Sequence, residues 1–218
     1  REWGNLPNVL KTNSVKAINK DDKSVVVSVN QSYGNKVKLD LIYTILNDGQ
    51  ISVKIDLDAD KSMADLIRFG MTMGVPDTYS QTIFYGRGSW ENYNDRKRSA
   101  QVSEFRFNTD DMFYNYPFPQ ETGNHTDTRW LKLSAGNQKS GLLFTGNPVF
   151  AFSIWPYSAE NIEQAKHAYE LKKQGYYTLN IDLIQTSLGG TLSARLPQYL
   201  LKSGKYNLEF NFSTFGIK

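Results

Sequence analysis

The sequence contains no cysteine and only two histidines, His125 and His167. Without cysteine the chain can form neither a disulfide framework nor a thiolate metal site, and it has no thiol nucleophile. The histidines are far apart, and neither belongs to a metal-binding motif such as HExxH or accompanies a GxSxG nucleophile elbow. We therefore predict no metal site and no catalytic triad. His167 is expected to be partly buried and to donate to a backbone carbonyl.

A strong charge and long apolar runs are also lacking. The 25 basic residues exceed the 22 acidic ones by 25 − 22 = 3, and they are spread along the chain. This surplus predicts neither a nucleic-acid partner nor a membrane partner. No apolar run approaches the length of a membrane span, and the N-terminus has neither a signal pattern nor an initiator methionine. We interpret the chain as a fragment or processed product, and its compartment stays open between cytoplasm and periplasm.

What the sequence does contain is typical of β structure. Aromatic residues make up 13% of the chain, and short alternating or apolar runs recur between turn residues. Residues 51–57 alternate strictly and follow an Asp48-Gly49 hairpin turn. The other predicted strands are residues 25–29, 37–43, 66–73, 82–85, 103–107, 129–133, 142–145, 149–154, 177–183 and 206–212. This spacing predicts one all-β domain, residues 1–218, built as a sandwich of antiparallel sheets.

One helix is predicted, over residues 158–173. Ser158 is a suitable N-cap, and an acidic residue follows it in the first turn. Ile162, Ala165 and Tyr169 form an apolar stripe at helical spacing. Cationic residues and then a glycine mark the predicted end.

Two turn-rich stretches hold the candidate binding residues, because long loops on a sheet scaffold often carry function. The stretches are residues 86–100 and 120–128. Glu91 and Glu121, one in each stretch, would suit a glycosidase if the fold placed their carboxylates about 5 Å apart or somewhat farther. The alternative, which is the commoner use of such residues, is that they and the nearby Asp95 and Asp127 accept local backbone N–H groups.

Residues 96–98 form a short basic cluster in the first of these stretches. Three charges in one loop are a small footprint for nucleic acid, which needs a longer basic stripe. We expect Arg96 instead to pair with Glu91 or Asp95 and so to fix the shape of the loop.

The tryptophans are the other candidates, because an aromatic face can stack on a sugar ring. In a β protein, however, tryptophan more often belongs to the core. Trp130 and Trp155 lie in or beside predicted strands, and we expect both in the core. Trp90 lies in a turn-rich stretch and is expected to be exposed.

Residues 85–96 read YGRGSWENYNDR and resemble the GxGPxENYxDR signature of the C-terminal domain of large β-galactosidases of glycoside hydrolase family 2. Further segments resemble that domain in the same order along the chain. They are PFPQETGN at 117–124, TRW at 128–130, FSIWPYS at 152–158, AKHAYEL at 165–171, LNID at 179–182, LGG at 188–190 and LLKSGKY at 200–206. The resemblance covers residues 66–218 and is weaker before them. The shared order makes it specific.

The resemblance implies a galactose-mutarotase-like β-supersandwich with one short helix, the small-chain domain, or domain 5, of a larger enzyme. The catalytic glutamates of that enzyme lie in a separate TIM barrel, a fold that needs about 200 residues or more by itself. We therefore expect no catalytic residue in this chain. The magnesium and sodium ions typical of the family are expected in other domains. The expected partners are the preceding domains and a galactoside-type carbohydrate, within a homo-oligomeric parent enzyme.

The resemblance also implies that the signature loop, residues 88–98, lies at the rim of the active site of the barrel. The implied rim residues are Gly88, Trp90, Glu91, Asn92, Asp95 and Arg96. The sequence departs from the family pattern at two places. Ser89 replaces the usual proline, and the segment after Gly189-Gly190 lacks the tryptophan that stacks on the aglycone sugar. The preferred sugar and linkage therefore stay open.

A second hypothesis is a stand-alone carbohydrate-binding or aldose-epimerase-like supersandwich. Epimerase chemistry would need a histidine and a glutamate on one concave face, and only His125 or His167 could supply the histidine. Both histidines lie in segments that match the galactosidase pattern, which favours the first hypothesis. A TIM-barrel-length region encoded upstream of residue 1 would decide between the two.

Overall fold

The computed structural model describes residues 2–186, 188 and 195–216, and within them β-strands predominate. The strands are β1 (Lys11–Asp21), β2 (Ser24–Tyr33), β3 (Val37–Leu46), β4 (Ile51–Ala59), β5 (Arg68–Pro76), β6 (Gln81–Gly88), β7 (Gln101–Asn108), β8 (His125–Ser134), β9 (Gly141–Trp155), β10 (Tyr176–Gln185) and β11 (Lys205–Phe215). The α-helices are α1 (Glu2–Val9) and α2 (Ala159–Gln164), and 3-10 turns occur at Thr109–Met112, Ala168–Glu170 and Pro197–Tyr199. None of the helices in these ranges has the length and apolar character required of a membrane span.

The strands of the described chain pair antiparallel and connect in the order β1-β2-β3-β4-β11-β9-β8-β6-β7. The long strand β9 is the branch point, since its first half pairs with β11 and its last residues pair with β10. Strand β10 pairs in turn with β5. The branches share one hydrophobic core, to which β4, β6 and β10 contribute Val53, Phe84 and Leu179, each 0% exposed. The sheet thus folds over onto itself, and the expected all-β supersandwich is confirmed.

The predicted strands are confirmed with longer bounds, and two details differ. The runs at 142–145 and 149–154 are parts of the single strand β9, and β5 begins at Arg68, two residues later than predicted. Strand β1 and helix α1 are not predicted by the sequence pattern. Strand β1 lacks a strand pattern because its sequence, KTNSVKAINKD, is largely polar. It joins the sheet through backbone pairing with β2 alone, at the end of the strand order.

The predicted helix over residues 158–173 is wrong in length. Its start is confirmed, because the Ser158 hydroxyl accepts a hydrogen bond from the Asn161 backbone N–H at 3.0 Å. The helix ends at Gln164, and the Ala165 N–H makes the last helical bond, to the Asn161 carbonyl. Two of the backbone N–H groups that follow bond to side chains instead. Asn161 Oδ1 accepts from the Lys172 N–H at 2.7 Å, and Glu170 Oε2 accepts from the Lys166 N–H at 2.7 Å. The predicted apolar stripe is also wrong, because its third member, Tyr169, is 81% exposed.

Only one of the two tryptophans expected in the core is buried. Trp155 is 1% exposed, and its indole N–H donates to the Thr122 carbonyl at 2.8 Å. Trp130 is half-buried, which corrects the expectation, because its place on β8 leaves one side of the ring on the surface. There it stacks on Tyr85 of the neighbouring strand at 6.4 Å between ring centres, and the Lys132 ammonium lies 5.3 Å from the ring centre.

Candidate functional site

The implied rim residues lie at the end of β6 and in the first of two neighbouring loops. The first loop, residues 89–100, joins β6 to β7, and the second loop, residues 113–124, leads into β8. Gly88 ends β6 where the first loop leaves the sheet. A β-carbon at Gly88 would lie 2.7 Å from the ring of Phe105, so the close packing of the strands requires glycine there.

Glu91 lies between the two loops, with 6% of its side chain exposed. Its carboxylate accepts hydrogen bonds from the Tyr93 hydroxyl at 3.1 Å, the Tyr116 hydroxyl at 2.6 Å and the Gly123 backbone N–H at 2.8 Å. Arg96 completes the set, so of the two expected partners, Glu91 and Asp95, it is Glu91 that forms the ion pair. Because Tyr116 and Gly123 belong to the second loop, Glu91 joins the loops instead of only capping its own turn.

The groups around Glu91 are arranged to keep donating to it. Burial, together with the adjacent carboxylate, raises the pKa of Tyr93. The hydrogen bond to Glu91 likewise raises the pKa of Tyr116. Both hydroxyls therefore keep their protons across the physiological range. The Arg96 guanidinium also lies 5.1 Å from the centre of the Tyr93 ring, a cation–π contact that helps to fix its position.

Asn92 forms a second connection between the loops and is 1% exposed. Its side-chain amide donates to the carbonyls of Arg87 and Trp90 at 2.9 and 3.1 Å, and its Oδ1 accepts from the Thr126 N–H at 3.0 Å. Its backbone N–H donates to the Asn124 carbonyl at 2.7 Å, and the Asn124 side chain donates back to the Asn92 carbonyl at 2.8 Å. The implied rim residue Asn92 is thus a buried brace and not a surface contact.

Two of the three residues of the basic cluster pair with different carboxylates. Arg96 pairs with Glu91, whereas the Lys97 ammonium lies 3.1 Å from Asp127, which also accepts from Arg87. Desolvation acts to raise the pKa of Asp127, but the hydrogen bonds from Arg87 and Lys97 outweigh it and lower the pKa. Asp127 thus pairs with two cationic side chains instead of accepting from local backbone N–H groups. Asp95 lies half-buried within the first loop.

Trp90 is the most exposed of the implied rim residues, with 74% of its surface in solvent, as expected from its loop. Its ring centre lies 6.4 Å from that of Tyr114 in the second loop. Tyr116 and Phe118 of the same loop are 36% and 66% exposed. The braced loops therefore present a group of aromatic side chains to solvent.

An ionic centre that the sequence analysis missed is formed by Arg68, Asp182 and Glu121. Arg68 Nε donates to Asp182 at 3.2 Å, and Arg68 Nη1 donates to Glu121 at 3.1 and 3.3 Å. Desolvation raises the pKa of the buried Asp182 carboxyl, while Arg68 acts to lower it. A β-carbon at Gly70 would lie 2.1 Å from Asp182 Oδ1, so the glycine makes room for this carboxylate. An aspartate inside the apolar strand 177–183 was the signal that could have indicated the centre.

The two candidate glycosidase carboxylates are thus held by different arginines. Glu91 is bound to Arg96 and to both loops, whereas Glu121 is bound to Arg68 on β5. Each of the two carboxylates therefore forms an ion pair with an arginine of this chain.

The histidines take different positions. His125 is 1% exposed and packs 4.6 Å from Phe84 and 5.4 Å from Phe152 between ring centres. Its Nδ1–H donates to the Arg87 carbonyl at 3.1 Å, and burial lowers the pKa of His125 to about 4. His167 is exposed and stacks on the exposed Tyr169. The expectation that His167 is partly buried and donates to a backbone carbonyl is therefore wrong. In the described ranges, no group of three or more histidine and acidic side chains is arranged to hold a metal ion.

The second departure from the family pattern, the missing tryptophan after Gly189-Gly190, lies outside the described residues. The described chain resumes at Arg195, ahead of the short 3-10 turn Pro197–Tyr199. The Asn94 side chain, in the first loop, donates to the Gln185 carbonyl at 2.9 Å and so connects that loop to the end of β10.

Two solved structures are similar to this chain in outline. The GalM/aldose epimerase homologue from C. elegans has a TM-score of 0.46 at 12% identity. The match covers 94% of this chain and 69% of the chain of that homologue. Galactose 1-epimerase from Lactobacillus acidophilus has a TM-score of 0.45 at 11% identity, with coverage of 94% and 65%.

Sequence relatives are β-galactosidases. The chain is 31% identical to β-galactosidase from Halalkalibacterium halodurans over 87% of its length, and 29% identical to that from Streptococcus thermophilus over 95%. It covers only 19% and 21% of those proteins, and so spans about a fifth of the length of the curated relatives it matches. The sequence model of the family described as β-galactosidase small chain matches residues 2–213. The chain therefore belongs to the β-galactosidase small-chain family.

Proposed function

We propose that this chain is a non-catalytic C-terminal domain of a family 2 β-galactosidase. In this proposal residues 88–98 form part of the rim of the active site, which lies in a neighbouring TIM barrel. The observation that carries the proposal is the bracing of the first loop, where Glu91 binds the second loop while Trp90 stays 74% exposed. A rigid backbone that presents an exposed ring suits a surface that must position a substrate.

The ionic partners of the carboxylates support a non-catalytic role. Glu91 accepts from two hydroxyls, one backbone N–H and one guanidinium, and Glu121 accepts from Arg68. A general acid or nucleophile needs a carboxylate directed at the substrate. The reacting glutamates are therefore assigned to the barrel. The magnesium and sodium ions are assigned to other domains of the parent enzyme, which is a homo-oligomer with a galactoside as its substrate.

The epimerase-like alternative receives less support from the site. His125 is enclosed by Phe84 and Phe152, so its ring has no face left for a sugar. His167 stacks on Tyr169 in the segment after α2, and both rings are exposed. The buried His125 is therefore out of reach of a sugar, which weakens the epimerase-like alternative.

The test uses the full-length enzyme that contains this chain and compares Trp90→Ala with Tyr169→Ala. Tyr169 is a matched control, because it is an exposed aromatic residue, 81% in solvent, outside the two loops. Since an aromatic contact contributes about 0.5–1.5 kcal/mol, Trp90→Ala should raise KM for a galactoside several-fold, and Tyr169→Ala should not. Equal kinetics of both variants would argue against a rim at Trp90.

Glu91→Gln in the same enzyme separates a bracing role from a catalytic one. If Glu91 only shapes the loop, kcat should fall by less than about tenfold, whereas loss of a general acid or base costs about 10²–10⁴-fold. A loss in the larger range would overturn the non-catalytic assignment. The 218-residue chain by itself should not hydrolyse an aryl galactoside above the buffer blank.

A further inference from the structure

Strands β1 to β4 direct one face of the sheet toward the hydrophobic core. This face stays apolar as far as β1, where the core no longer covers it. Directly paired residues of an antiparallel sheet point to the same face, so the register defines rows of side chains. Two rows run from β1 across β2 and β3 to β4. They are Val15, Val29, Leu41 and Ile55, and Ala17, Val27, Tyr43 and Val53.

Exposure increases along these rows toward β1. Val53 and Ile55 on β4 are 0% and 3% exposed. Leu41 and Tyr43 on β3 are partly buried and still pack against the core. Val15 on β1 is 64% exposed. The apolar surface thus extends past its own cover, and continuous apolar surfaces of this kind mark sites of contact with another protein surface.

The opposite face of the same strands is more polar, although Ile18, Val26 and Ile42 also lie on it. It carries Lys16 paired with Ser28, and Asn30 donates to the Asp40 carboxylate at 2.6 Å across β2 and β3. An antiparallel sheet commonly packs one face and leaves the other solvated. By that rule the polar face is the solvated one, and the apolar face is the one that requires a partner.

We propose that this apolar face of β1, β2 and β3, the docking face, packs against the rest of the β-galactosidase polypeptide that contains this chain. The identity of the partner rests on the proposed function. The matched segment is only 19% of the length of a curated relative, so most of such a polypeptide lies outside it. The adjoining part of the face already faces another segment of the same polypeptide, the helix α1. Trp3 and Leu6 of α1 line a groove of about 550 Å³ together with Leu39 and Leu41 of β3.

The experiment uses thiol labelling of the full-length enzyme, because this chain has no cysteine. Val15→Cys places a thiol on the docking face, and Ile18→Cys is the matched control on the polar face of the same strand, since the two residues are 64% and 61% exposed here. A maleimide is added to the native enzyme, and mass spectrometry of the digested protein measures the modification at each position. The Val15→Cys thiol should react at least about tenfold more slowly than the Ile18→Cys thiol, because thiol reactivity requires access.

Equal labelling rates at the two positions would overturn the docking proposal. Protection of the Val15→Cys thiol that disappears when the enzyme is diluted and dissociates into single chains would also overturn it, because a second copy would then be the occupant. Protection that persists in the single chain supports it. The proposed rim is judged separately by the kinetics of Trp90→Ala, so either proposal can fail while the other stands.

Discussion

Glu91→Gln is the substitution that most directly tests the structural role of the candidate site. Glutamine keeps the length and shape of the side chain but replaces one carboxylate oxygen by an amide. If its carbonyl keeps the bonds from Gly123 and Tyr93, the amide faces Arg96 and Tyr116. The Tyr116 hydroxyl can rotate and accept, but the guanidinium has only donors, so one charge-assisted bond is lost.

The expected loss follows from the surroundings of that bond. A hydrogen bond to a charged group contributes about 1.5–3 kcal/mol. The Arg96 side chain is 47% exposed, so water replaces part of the interaction. We expect Glu91→Gln to lower the free energy of unfolding by about 2 kcal/mol, toward the lower part of that range. For a chain of this size, 1 kcal/mol shifts Tm by about 2–4 °C, which predicts a decrease of about 4–8 °C.

Thermal unfolding followed by circular dichroism measures this decrease. Glu104→Gln is the control, since Glu104 pairs with Arg106 on the surface with side chains 45% and 62% exposed. That pair is worth about 0–1 kcal/mol, so its removal should have a small effect on Tm. If Glu91→Gln and Glu104→Gln lower Tm equally, Glu91 does not hold the two loops together and the argument for a braced rim is wrong.

Three further predictions concern stability. Trp155→Ala should cost about 3–5 kcal/mol because the ring is 1% exposed, whereas Trp90→Ala should cost less than about 0.5 kcal/mol; urea unfolding of both variants compares them. Burial lowers the pKa of His125 from 6.5 to about 4, so the unfolded chain takes up the proton first as pH falls. Stability should therefore decrease by about 3 kcal/mol between about pH 6.5 and pH 4, and this dependence should weaken in His125→Gln. Gly70→Ala should cost more than about 1–3 kcal/mol, because the added methyl group would lie 2.1 Å from a carboxylate oxygen and 2.4 Å from a backbone oxygen, whereas at Gly136 the nearest atom is 4.0 Å away; equal Tm values for Gly70→Ala and Gly136→Ala would contradict this.

Local patterns were sufficient to predict most strands and their turns. Residues 51–57 alternate because every second side chain of β4 enters the core, and Gly49 has the φ of +86° that the preceding hairpin turn requires. The Ser158 cap was also predictable, since it depends on a neighbour three residues away. The length of α2 was not, because its end is decided by the side chains of Asn161 and Glu170.

The candidate site shows the same division between sequence and tertiary structure. The sequence by itself determined the all-β class, the resemblance in residues 85–96, the exposed Trp90 and the pairing of Arg96 with a carboxylate of its own loop. Each of these depends on composition or on residues close in the chain. Only the tertiary structure decided what depends on distant residues. Glu91 meets Tyr116, 25 positions away, and Arg68 meets Asp182, 114 positions away. The uncovered apolar face belongs to this second class, because burial depends on how the whole sheet folds over and not on the alternation of one strand.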